Sequence, residues 1–340
     1  MGRKNKAYYK DLHQQAYDRF QGMMAIGESK KAAVAEGTDQ GKIFSYNTYK
    51  TYWKHTKYFI AYIKEKHPEC TTLKSARKYV GEWLQARTEQ GLSAWSVQVE
   101  AKALGKLYGI TPDSKDYFEP PKRNRKDIKR SRGDKVRDQH FSEANNDELI
   151  KFCRGTGLRR SELKELRGKD LATRAEIEAE ISRIEAIPES ERTPGEASRL
   201  GMLQDTRMFP EEYFTHVRSG KGGRERYSPI VGKNAEQIIE RIQDTPPEEK
   251  VWQHIHQCAD IHGYRAEYAT AIYKAHARAI QDIPYDRVNR GTGKRYQSEV
   301  YVCRKDEAGK KLDKAAMLVC SKALGHNRIE VVANNYIRGL

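Results

Sequence analysis

The sequence predicts a mainly α protein with small β-hairpins, an α+β chain built as two domains. Three observations predict it. Apolar residues recur at helical spacing, most clearly Tyr46, Tyr49, Trp53, Tyr58, Phe59 and Tyr62. Strand-like alternation is confined to short segments flanking turns such as Ser219-Gly220-Lys221-Gly222-Gly223. A strongly basic run, residues 122–137, divides a chain of 340 residues, which is long enough to bury two cores.

Composition narrows the partners. The net charge is +16, from 63 Lys+Arg against 47 Asp+Glu, and such a balance favours a polyanion. No apolar run approaches the ~20 residues of a spanning helix and no signal peptide opens the chain, so nucleic acid is preferred to a membrane surface. The five cysteines, Cys70, Cys153, Cys258, Cys303 and Cys320, are scattered and form no CxxC pair. A reduced, cytoplasmic setting fits that pattern better than a disulfide framework.

Taken in order, residues 1–44 are polar, with an alanine-rich helical pattern from Ser29 to Glu36, and read as an arm or an extra helix. Residues 45–120 form a helical domain. Its first helix ends at His67-Pro68, and the repeats at 73–90 and 93–108 are separated by Gly91 and closed by Gly109. Lys50, Lys54, Lys57 and Lys64 lie among the aromatics of the first helix; Lys54 and Lys57 are candidates to track phosphates, although such a row is usually only a solvated face.

Residues 121–138 are the linker. The run from 122 to 137 holds nine basic residues, two acidic and two aliphatic ones, and cannot fold alone. Extended at ~3.3 Å per residue it spans roughly 50 Å. Lys122, Arg123, Arg125, Lys126, Lys129 and Arg130 are therefore expected to contact DNA.

The second domain occupies 139–340. A helix over 146–154, the turn Gly155-Thr156-Gly157-Leu158 and a helix over 160–167 would alone suit a helix-turn-helix reader. Arg159, however, stands at the very start of the second helix, where its guanidinium and free backbone N–H groups can hold one phosphate. Residues 173–207 carry Ile177, Ile181, Ile184 and Ile187 on one stripe, then Pro188 and Pro194, then Leu200 and Leu203. That is a helical hairpin insertion, and its stripe is expected to meet another subunit. Two strands, 213–217 and 224–231, flank the turn bearing Lys221. A phosphate-cradling P-loop is excluded there, because a glycine follows the lysine.

His262 and Arg265 share a face at the start of an alanine-rich helix. Residues 284–312 are basic and β-rich. Met317 to Leu324 is an apolar helix stopped by Gly325, and Asn327 with Glu330 forms a capping-box pattern for a last helix. His326 then sits in the turn, and Tyr336 lies near the end of the final helix. His254, His256, Cys258 and His262 crowd nine residues, but without an HExxH glutamate or a second cluster a zinc site is not expected.

Set side by side, Arg159 in TGLRRSEL, Lys221 in SGKGGR, His262-x-x-Arg265, Gly325-His326 and a late Tyr336 resemble the tyrosine recombinases, the phage-type integrases, motif by motif and in that family's order. The resemblance covers residues 45–340 and is strongest from Thr156 onward. It implies a helical core-binding domain, followed by a tyrosine-recombinase-like catalytic domain. By resemblance, Tyr336 attacks a scissile phosphate to give a 3′-phosphotyrosyl bond, and Lys221 protonates the 5′-oxygen. Arg159 and Arg265 clamp the non-bridging oxygens, His262 accepts the tyrosine's proton, His326 bonds the phosphate, and Glu162 orients the site.

The resemblance implies no cofactor and no metal. Its partners are double-stranded DNA with specific recombination sites and further copies of the chain, as a homo-oligomer, a tetramer, on DNA, with no membrane; its place is the bacterial nucleoid. The interval from His326 to Tyr336 is one residue longer than in many members. The long excursion between Arg265 and His326 resembles integrases of some mobile elements. A resolvase, a type IB topoisomerase-like nicking-closing enzyme and a non-catalytic DNA-binding accessory factor are the alternatives.

Overall fold

The computed structural model describes residues 10–124, 141–221, 223–283, 298–304, 307–326 and 328–337. The chain divides into two compact units, Met1–Ile128 and Lys129–Leu340. It is mostly helical with small antiparallel sheets.

The first unit contains α1 (Leu12–Gln21), α2 (Lys30–Ala35), α3 (Tyr46–Lys66), α4 (Leu73–Ala76), α5 (Val80–Glu89) and α6 (Ala94–Tyr108). Five of these starts are capped in the same way. The side chains of Asp11, Ser29, Ser45, Thr72 and Ser93 each accept from a backbone N–H three residues on, each cap contributing about 1 kcal/mol. Phe20, Phe59, Ile60, Ile63, Trp83, Leu84, Leu104 and Leu107 fill one core, worth about 1.5–3 kcal/mol per buried side chain. Because α1 contributes Leu12, Ala16 and Phe20 to that core, it is an integral helix of this unit and no loose arm. Glu100 is also buried, held by Arg87 Nε at 3.2 Å and Nη2 at 3.1 Å and by His55 Nδ1 at 3.3 Å.

The second unit contains α7 (Asp147–Thr156), α8 (Arg160–Glu165), β1 (Leu171–Thr173), α9 (Arg174–Glu185), α10 (Pro194–Gln204), β2 (Tyr213–Val217), β3 (Arg226–Pro229), α11 (Ala235–Gln243), α12 (Ile261–His276), β4 (Val300–Val302), β5 (Lys311–Asp313), α13 (Lys314–Ala323) and α14 (Ile329–Asn335). β1, β2 and β3 form an antiparallel sheet in that order, with Leu171 opposite Thr215 and Phe214 opposite Pro229. β4 and β5 form a separate antiparallel pair. The central helix is α12. It packs against both α7 and α13 and buries Tyr268, Ala269, Ile272 and Tyr273. Ser228 on β3 ties these layers together, its Oγ lying 3.0 Å from Thr156 O and 3.0 Å from Ala323 O.

Two expectations change here. The helical hairpin exists, but its isoleucines do not await another subunit. Ile177, Ile181 and Ile184 are at most 3% exposed and lie in one cluster with Leu200, Leu203, Phe209 and Phe214 of the same unit. The stripe is core, and a charge placed on it would be buried without a partner. The last helix also starts later than the capping pattern implied. Its N-cap is Arg328, which makes no side-chain cap bond, and Asn327 lies outside the described residues. No described helix is long and apolar enough to cross a membrane.

Candidate active site

The site forms where the ends of α7, α13 and α14 meet the starts of α8 and α12. Arg159 is the N-cap residue of α8. Glu162, one turn on, accepts from Arg159 N at 2.7 Å and from its Nη1 at 2.6 Å. The neighbouring Arg160 does something else. Its guanidinium donates to His256 O, Gln257 O and Ala259 O at 2.9, 3.2 and 2.5 Å, pinning the loop that leads into α12. Of the paired arginines in TGLRRSEL, Arg159 turns its guanidinium to Glu162 and the Leu324 carbonyl, while that of Arg160 is held by backbone carbonyls.

Asp260 caps α12 by accepting from Gly263 N at 2.9 Å, which presents His262 and Arg265 from the first turns. Arg265 is 1% exposed. Its Nη1 donates to Gly157 O and its Nη2 to Leu324 O, the latter at 2.5 Å. Arg159 Nη2 approaches the same Leu324 carbonyl at 3.5 Å. Burial, then the neighbouring Arg226 and Arg159 cations, pushes Arg265 down to about 10, still protonated at neutral pH. A charge this deep needs acceptors, and two carbonyls at helix ends supply them.

Tyr336 ends α14, is 7% exposed, and packs its ring among three site residues. Its ring centroid lies 5.5 Å from His326, 5.4 Å from His262 and 5.5 Å from the Arg265 guanidinium carbon. Arg265 Nε donates to Tyr336 Oη at 3.4 Å, and Oη lies 3.3 Å from His326 Nε2. The tyrosine oxygen thus meets the Arg265 cation and the His326 imidazole. Gly325 permits the turn that delivers His326. Its φ of 67° is left-handed, a conformation that costs glycine little.

Burial first, then the charges of Arg265, Arg159, Arg226 and Lys221, lowers His326 to about 4. The ring is therefore neutral at pH 7, and its Nε2 can accept from the tyrosine hydroxyl. In an unfolded chain the same histidine titrates near 6.5. Between about 6.5 and about 4 the unfolded state binds the proton and the folded state does not, so stability falls as pH falls through that window. Titration of the His326 ring by NMR in the DNA-free protein is expected to give a midpoint near 4; a midpoint near 6.5 would contradict the burial and the cationic surroundings.

Lys221 is exposed at the tip of the β2–β3 hairpin, in a turn closed by Gly220 N donating to Arg224 O at 2.7 Å. Its charge acts on His326, and among the described residues its ammonium forms no ion pair. A cleft of about 420 Å³ opens beside the arginines, lined by Arg159, Arg160, Ser161, Asp260, His262 and Arg265. A larger cavity of about 770 Å³ lies in the first unit, among Val80, Leu84, Ile110 and Phe118 near Lys106. It gathers no counterpart to the arginine pair and tyrosine.

Sequence reasoning missed Arg226. It is 5% exposed on β3 and donates to Glu162 Oε1 at 2.9 Å and Oε2 at 2.8 Å. Burial opposes ionisation of Glu162, but the bonds and charges of Arg226 and Arg159 bring it down to about 2. The only signal was alternation: Arg226 and Ser228 share one face of a strand, and Ser228 points inward. His254 and Cys258 precede α12, so they do not share its helical face with His262.

The expected DNA contacts divide. Lys54 and Lys57 are exposed on α3, with Lys50 Nζ 4.8 Å over the Tyr46 ring and Lys54 Nζ 5.9 Å over the Tyr58 ring. Lys122 and Arg123 are exposed, and the Arg123 guanidinium lies 5.9 Å over the Trp95 ring. Arg125, Lys126, Lys129 and Arg130 lie outside the described residues.

Compared with known proteins, the chain matches no family model and no curated sequence. Among solved structures it is similar to XerA recombinase, at 13% identity and a TM-score of 0.26, over 96% of this chain and 94% of that one.

Proposed function

We propose that the chain is a site-specific DNA recombinase, integrating or excising a mobile element through a 3′-phosphotyrosyl intermediate. One observation carries the reading: the Tyr336 hydroxyl lies within 3.4 Å of Arg265 Nε and within 3.3 Å of His326 Nε2, in a pocket rich in arginine. A phenol with pKa near 10 is a weak nucleophile at neutral pH. A cation on its oxygen and an imidazole to take its proton address that weakness.

Tyr336 Oη attacks phosphorus as the P–O5′ bond breaks, and the phosphodiester's energy stays in the new P–O bond. The tyrosine's proton passes to one of the two imidazoles packed against its ring, His262 and His326. Lys221 gives a proton to the leaving 5′-oxygen. Arg159 and Arg265 take the non-bridging oxygens in place of the Leu324 and Gly157 carbonyls, stabilising the charge that grows in the transition state. Glu162 holds Arg159 in orientation.

The first unit serves as the DNA-gripping part. Its α3 row of Lys50, Lys54 and Lys57, alongside exposed tyrosines, suits a phosphate backbone. Replacing all three lysines with Gln is expected to reduce the slope of log K against log salt by about 0.9 for each phosphate that a lysine neutralises; an unchanged slope would mean this face stays in solvent.

Incubation with sheared fragments of a candidate host genome, followed by SDS and phenol extraction, tests the function. DNA covalently held by the protein is expected. DNA that is bound but never covalently held would favour an accessory factor.

A further inference from the structure

We propose that Arg226 is a positioning residue of this reaction: its buried pairing with Glu162 seats the Lys221 turn, Arg159 and the Gly325–His326 turn against one another. The inference rests on the recombinase reading and adds a residue to it.

The pair is almost dry. The Arg226 and Glu162 side chains are 6% and 1% exposed. Their two parallel bonds, at 2.9 and 2.8 Å, leave the Glu162 oxygens also accepting from Arg159 N and Nη1. Two glycines make room for this guanidinium. A Cβ at Gly220, the residue before Lys221, would lie 3.2 Å from both Arg226 Nη1 and Glu162 Oε1. A Cβ at Gly325, the residue before His326, would lie 2.6 Å from Arg226 Cδ. The turns carrying the proposed acid and the site imidazole therefore rest on the same side chain.

The arrangement is a poor way to gain stability. Arg226 Nε is buried with no partner among the described residues, and buried ion pairs are often no better than apolar side chains of similar volume. Its effect on Arg159 is more specific. Arg226 already neutralises Glu162, so Glu162 orients Arg159 without consuming its charge. Without Arg226, that carboxylate would be left to Arg159 and, at 4.0 Å, to Arg265 Nη1, the two arginines proposed to hold the phosphate.

The test uses suicide substrates carrying either an ordinary scissile phosphate or a 5′-bridging phosphorothioate, whose thiolate leaves without a proton. Parent, Lys221→Ala, Arg226→Met, Arg226→Lys and the double variant Glu162→Met/Arg226→Met are compared in single turnovers, with Kd and melting measured alongside. The double variant leaves no buried carboxylate without Arg226 and keeps the test valid if Arg226→Met fails to fold; it also removes the acceptor of Arg159 N and Nη1, so parent-like rates in it would count against the proposal most strongly. Loss of Arg226 is expected to slow ordinary cleavage about 100-fold at unchanged Kd, the scale of misplacing a general acid. The phosphorothioate should restore a large part of that loss, and Arg226→Lys should retain more rate than Arg226→Met. Parent-like rates in the folded variants, or equal loss on both substrates, would overturn the proposal. Absence of cleavage by the parent, or of rescue in Lys221→Ala, would instead refute the reading of the site itself.

Discussion

Tyr336→Phe is expected to bind DNA as the parent does and to form no covalent protein–DNA complex. The change removes one oxygen. That oxygen's neighbours are 3.4 and 3.3 Å away, Arg265 Nε and His326 Nε2, at the long end for hydrogen bonds. The ring stays packed beside Val332, Ala333 and Ile337, so the stability cost should not exceed about 1 kcal/mol. Arg265 keeps its bonds to Gly157 O and Leu324 O, so its charge is not stranded. The rate loss should be at least about 10⁴-fold, the scale seen when an enzyme loses its nucleophile. Single-turnover cleavage beside a gel-shift Kd checks both halves. An SDS-resistant adduct in the variant would remove Tyr336 from its role.

Lys221→Ala is expected to slow strand cleavage by about 10²–10⁴ while hardly changing affinity. The residue is exposed at a hairpin tip, so its loss removes at most one phosphate interaction, about 0.9 in the salt slope. It supports no core and its removal should leave the melting temperature unchanged. A 5′-bridging phosphorothioate should restore the variant's rate, because a thiolate departs without protonation. No rescue would make Lys221 a phosphate ligand and nothing more.

Much of this architecture is legible in the sequence because helices announce themselves locally. Ser45 and Ser93 cap the helices they precede, and Gly109 and Gly325 close theirs with left-handed turns. Arg159, Lys221, His262, Arg265, His326 and Tyr336 can be put forward as candidates from motifs, since each lies beside a turn or helix end whose signal is local. Contacts across the fold are another matter. The isoleucine stripe of α9 shows that one face is apolar, but not whether α10 and β2 of the same chain or another molecule covers it; the chain's own core does. β1 has three residues, too short for a period to register. Arg226 looks like one more cation in a basic hairpin, and its role exists only because Glu162, sixty-four residues away in sequence, faces it. How the histidines meet the tyrosine is also three-dimensional. His326 Nε2 lies 3.3 Å from its hydroxyl, and the His262 ring centroid lies 5.4 Å from its ring.

Mapping the covalent complex tests whether Tyr336 becomes joined to DNA, as proposed. The protein is trapped on DNA with a nicked suicide substrate, digested with nuclease and trypsin, and its peptides are sequenced by mass spectrometry. The nucleotide is expected on the peptide containing Tyr336, linked through a 3′-phosphate, with a free 5′-hydroxyl on the released strand. A nucleotide on any other residue, or a 5′-linked adduct on Tyr336, would contradict the 3′-phosphotyrosyl reading.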